Sequence, residues 1–66
     1  MQITVNGETR TAPEGLTAAQ LVEELGLEGQ RIAMEVNEEI LPRSRYGTHR
    51  LQAGDRIEIV RAIGGG

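Results

Sequence analysis

Apolar and polar residues along this chain repeat with two periods, and the places where the period changes mark its elements. Gln2-Ile3-Thr4-Val5 alternates polar and apolar, as a strand with one buried face does. Asn6-Gly7 follows, and this dipeptide suits a type I′ hairpin turn because that turn needs positive φ at both central residues. Glu8-Thr9-Arg10-Thr11 reads as the returning strand, weakly apolar and therefore at a sheet edge, and Ala12-Pro13-Glu14-Gly15 ends it.

The period then becomes helical. Ala18, Leu21, Val22 and Leu25 fall at i, i+3, i+4 and i+7 on one face. Thr17 is placed as N-cap with Gln20 three residues on, which makes a capping box, and Leu16 can staple onto Leu21. Gly26 can take the left-handed position after the last turn, with Leu27 folding back toward Val22. These signals predict a helix from Thr17 or Ala18 to Leu25.

Strand alternation returns in Arg31–Val36, with Ile32, Met34 and Val36 on one face. Asn37-Glu38 offers a turn, Glu39-Ile40-Leu41 a short strand, and Pro42 its end. Arg43 to His49 reads as irregular chain or a single helical turn, and Leu51 as a core plug. Ala53-Gly54-Asp55 turns into a last strand from Arg56 to Ala62, where Ile57 and Ile59 face one way and Glu58, Val60 and Ala62 the other. The order β-β-α-β-β-β predicts an α+β domain: one mixed sheet of four to five strands with a single helix packed across one face. The first and last strands are expected to pair in parallel at its centre. The expected core is Ile3, Val5, Leu21, Val22, Leu25, Ile32, Met34, Val36, Leu51, Ile57 and Ile59.

Composition narrows the chemistry. Sixty-six residues make one small domain. With no Cys there is no thiol nucleophile and no thiolate metal site, and one His gives no histidine cluster. All seven basic residues are Arg, so no lysine amine is present either. A net charge of −3 and the absence of Trp and Phe argue against nucleic acid as a partner. No segment is long and apolar enough to span a membrane, and no signal-peptide pattern opens the chain; the expected location is the cytoplasm.

The candidate chemistry lies in Gly64-Gly65-Gly66, which follow the last strand without a polar linker. The expected organisation is a domain over 1–63 and a flexible glycine tail over 64–66. Glycines without Cβ can thread a narrow channel, and three extended residues reach roughly 10 Å. The reactive group is then the Gly66 carboxyl. Such a group is ionised at neutral pH, with a pKa of about 3.5, and must be activated before it can be attacked. Val60 and Ala62 project from the last strand onto the face the helix leaves free, Ala33 from the third strand does the same, and Ile63 stands at the neck of the tail. These four are the expected partner-docking residues. Glu23, Glu24 and Glu28 read as a solvated helix face, Tyr46 and His49 as packing or loop residues. Arg43, Arg45, Arg50 and Arg61 serve equally as an anchor for an acidic rim or as surface charge.

The initial strand with Asn6-Gly7, Gly15-Leu16-Thr17 opening the helix, and Val36-Asn37 with Glu39-Ile40-Leu41-Pro42-Arg43 together resemble the β-grasp (ubiquitin-like) family. So does Gly54-Asp55-Arg56-Ile57-Glu58-Ile59-Val60 running to the glycines. The likeness covers the whole chain and is greatest to the sulfur carriers of thiamine biosynthesis; Glu38 stands where that family often has glycine. The resemblance implies a carrier protein and not an enzyme, with no cofactor of its own. Gly66 would be adenylated with ATP by an adenylyltransferase of the ThiF type. A persulfide or sulfide, supplied indirectly by a sulfur-donor enzyme, would displace AMP to leave a thiocarboxylate. A thiazole synthase of the ThiG type would then take the sulfur. The alternatives are a molybdopterin-pathway carrier of the MoaD type, a ubiquitin-like modifier, and a plain interaction module.

Overall fold

A computed structural model describes residues 1–62. Five strands and one α-helix follow in chain order: β1 Gln2–Val5, β2 Glu8–Thr11, α1 Ala18–Glu24, β3 Ile32–Val36, β4 Glu39–Leu41 and β5 Arg56–Arg61, with a 3-10 turn at Arg43–Arg45. The strands form one sheet in the order β2-β1-β5-β3-β4. β1 pairs in parallel with β5, and the other contacts between strands are antiparallel. The last strand in sequence is thus the central strand in space.

α1 has only seven residues, too few for stability as an isolated helix, so its ends matter. Thr17 and Gln20 complete the capping box: Gln20 N–H donates to Thr17 Oγ1 at 3.1 Å, and Thr17 N–H donates to Gln20 Oε1 at 2.9 Å. The remaining early amides are taken by the 43–51 segment, with Ala18 N–H donating to His49 O at 3.0 Å and Ala19 N–H to Tyr46 O at 2.9 Å. At the other end Gly26 has φ +72, its N–H donates to Glu23 O, and Leu27 N–H donates to Val22 O, each at 3.0 Å. That pair of bonds is the Schellman closure the sequence calls for.

The core lies between α1 and one sheet face. It holds every expected core residue except Leu25, together with Ala12, Leu16, Ala18, Leu41 and Tyr46. Leu25 is the helix C-cap, where the chain is already turning away, and it is only half-buried against the core edge. Tyr46 is buried because the 3-10 turn folds its ring inward, a placement that no periodic pattern announces. Ile3, Leu21, Met34 and Ile57 are almost fully buried, each contributing about 1.5–3 kcal/mol of apolar burial.

Candidate functional site

The candidate site is assembled around β5. On one side β5 pairs with β3 in register from Val36↔Ile57 to Ile32↔Arg61, and Ala62 N–H prolongs the ladder by donating to Arg31 O at 2.9 Å. On the other side it pairs with β1 only through Thr4↔Arg56 and Val5↔Ile57, after which β1 turns back at Asn6-Gly7. β5 therefore leads from the centre of the sheet toward residues 63–66. Ile63, Gly64, Gly65 and Gly66, and with them the expected boundary between domain and tail, lie outside the described residues.

Two asparagines secure β5. Asn6 spends its whole amide on one residue: its Oδ1 accepts from Ile59 N–H at 2.8 Å and its Nδ2 donates to Ile59 O at 3.1 Å. Its backbone N–H also donates to Ile57 O at 2.9 Å. At the start of the strand, Asn37 Oδ1 accepts from Arg56 N–H at 2.9 Å and Asn37 Nδ2 donates to Asp55 Oδ1 at 3.0 Å. The sequence marked both asparagines as turn residues. Their second task was not readable there, because it depends on which strand lies alongside the turn.

The helix-free face of the sheet carries Ala33, Val60 and Ala62, three of the four expected docking residues. Ala33 and Val60 sit directly opposite each other on β3 and β5, and both are exposed, Val60 to 58%. Ala62 is exposed at the end of the same row. The sequence reading omitted Ile40, which is 76% exposed on the same face, beside Glu35 in the β3–β4 register. Its signal was the alternation Glu39-Ile40-Leu41, since a buried Leu41 turns Ile40 outward. Glu35 and Glu58 are cross-strand neighbours between these apolar positions. Apolar and acidic side chains thus share the face next to the outgoing chain.

Three of the other candidates make contacts within the domain. Arg43 Nη2 donates to Gln30 O at 2.9 Å and Arg50 Nη1 to Gly15 O at 3.2 Å, so both tie loops together. Glu24 lies 3.9 Å from Arg10 on the surface. Among the described residues no group of His, Cys, Asp or Glu could hold a metal ion, and no buried side-chain nitrogen or oxygen lacks a partner. No helix among them is long and apolar enough to cross a membrane.

Known proteins share this arrangement. A crystal structure of a thiamine biosynthesis protein (ThiS) from Geobacter metallireducens superposes with a TM-score of 0.86 at 30% identity, covering all of both chains, which gives the fold as β-grasp. The sulfur carrier protein ThiS of Escherichia coli is 33% identical over 66 residues, the full length of both proteins. A thiazole synthase of Paramagnetospirillum magneticum is 41% identical over the same 66 residues, but the chain spans only 20% of that relative's length. The model of the ThiS family matches residues 3–66, from the first buried isoleucine of β1 to the last glycine, and the chain belongs to that family.

Proposed function

We propose that this protein is the sulfur carrier for the thiazole moiety of thiamine. The observation that carries the reading is the likeness to the Escherichia coli sulfur carrier over the whole of both chains. In the proposed cycle the Gly66 carboxylate attacks the α-phosphate of ATP on an adenylyltransferase of the ThiF type, and pyrophosphate leaves. Sulfide, delivered by a donor enzyme, attacks the acyl carbon and AMP leaves, so Gly66 carries a thiocarboxylate. A thiazole synthase of the ThiG type receives the sulfur. The segment similar to this chain in proteins named thiazole synthase supports that partner.

The domain's part is recognition and reach, and its own side chains supply no acid, base or nucleophile to the reaction. Gly64 and Gly65 let the terminus enter a narrow active site. Ala33, Val60 and Ala62 expose apolar side chains on the helix-free face beside the outgoing chain, with Ile40 further along that face and Ile63 next in sequence, and a partner gains by covering them. With neither lysine nor cysteine in the sequence, an activated Gly66 meets no side-chain amine or thiol on its own chain.

The test is an intact-mass spectrum after incubation with ATP, sulfide and the activating enzyme, with fragmentation to place the change. Oxidation of Met1 or Met34 adds nearly the same mass as exchange of oxygen for sulfur, so location decides. A sulfur at Gly66 that is alkylated readily supports the carrier; an unmodified terminus beside demonstrably active enzyme removes the reading. Protein adducts through lysines of other chains would instead point to a modifier.

A further inference from the structure

β5 is held unequally along its two sides. Residues 56, 58, 60 and 62 direct their backbone groups toward β3, and that ladder runs to Ala62. Residues 57, 59 and 61 direct theirs toward β1, which has turned away after Val5. Without help, Ile59 N–H and C=O would face a gap, although the Ile59 side chain is buried in the core. Asn6 fills that gap: its amide offers an acceptor and a donor where a continued parallel β1 would present the C=O of one residue and the N–H of the residue two further on. Among the described residues, nothing beyond Asn6 holds β5 from this side.

From this the geometry points to Asn6 as a positioning residue for the reactive end of the chain. The side chain fixes Ile59, and Ile59 fixes the line along which Val60, Arg61 and Ala62 run beside β3 toward the end of the chain. Only three residues separate Ile59 from Ile63, so a tilt of β5 at this point moves the origin of the tail relative to the docking face. Misplacement of a reacting group by about 1 Å costs on the order of a hundredfold in rate when the partner site is rigid. The inference rests on the sulfur-carrier reading for its consequence but not for its geometry.

Asn6→Asp tests it, because the acid keeps the acceptor for Ile59 N–H while replacing the donor to Ile59 O with a second oxygen. Thr17→Ala is the control: it removes the helix cap, which lies away from β5. Pyrophosphate release by the activating enzyme is measured at a temperature where circular dichroism shows both variants folded. The expected result is a kcat/KM roughly tenfold lower for Asn6→Asp, with faster amide exchange at Ile59 and Arg61, and a Thr17→Ala value within about twofold of the native one. Equal kcat/KM for the native protein and Asn6→Asp, or equal losses in both variants, overturns the inference. If the native protein itself is not adenylated, the sulfur-carrier reading fails. Exchange at Ile59 then decides the clamp separately, and protection unchanged in Asn6→Asp overturns it.

Discussion

The two tight hairpin turns solve one backbone problem with different residues. Asn6-Gly7 and Asn37-Glu38 both carry positive φ at their two central positions: +50 and +83 in the first, +52 and +69 in the second. In each the asparagine side chain reaches β5. The first turn spends glycine on its second position, where the left-handed backbone has no steric cost; the second places Glu38 there and bears that cost. They also differ in surroundings. The bonds of Asn6 end on a buried residue, whereas those of Asn37 end on exposed Arg56 and half-buried Asp55 in bonds open to solvent, where water can replace them. The comparison teaches that the burial of the partner, more than the number of hydrogen bonds, sets what a turn residue is worth.

Asn6→Ala carries the largest expected effect. It leaves Ile59 N–H and C=O without partners near the core, at about 2–4 kcal/mol, and a thermal melt should fall by roughly 10–20 °C. Gly7→Val forces a β-branched side chain into the left-handed region and should cost about 1–2 kcal/mol in a urea titration, with an unchanged slope. Asn37→Ala should cost about 1 kcal/mol, because solvent takes over its bonds. A loss as large as that of Asn6→Ala would break the distinction drawn from burial. Glu38→Gly is the smallest and has the opposite sign. Relief of the left-handed strain outweighs the added freedom of the unfolded chain by about 0.5 kcal/mol, which raises Tm by roughly 2–4 °C. The Arg56–Glu38 pair lost in that change, 3.9 Å apart between exposed side chains, offsets little of the gain.

Much of the fold was legible because it rests on local rules. The alternation in Ile57–Val60, the box at Thr17 and Gln20, and the glycine at 26 each act within a few residues, and each is found as read. What was not legible depends on distant partners. Tyr46 is core because the 43–51 segment closes over the start of α1, whereas the exposure of Ile40 follows from the local alternation with buried Leu41. The candidate site divides along the same line. Its glycines and the outward row of β5 stand in the sequence, while the hold of Asn6 on Ile59 bridges 53 positions and has no local trace. Glu38 stands as a local exception, a position where the backbone calls for glycine and the chain supplies another residue.

The central place of β5 has a consequence for how this protein comes into being. The β1–β2 and β3–β4 hairpins can each form from neighbouring residues, but neither is stable alone in water. They become one sheet only when β5 enters between them, so the contacts that create the sheet wait for the last of its described strands to be synthesised. A chain broken off within β5 is not a carrier short of its tail; it is two hairpins and a short helix with no common core. Completing the sheet waits on β5, and a partner that recognised the helix-free face would meet only molecules whose synthesis has passed through that strand.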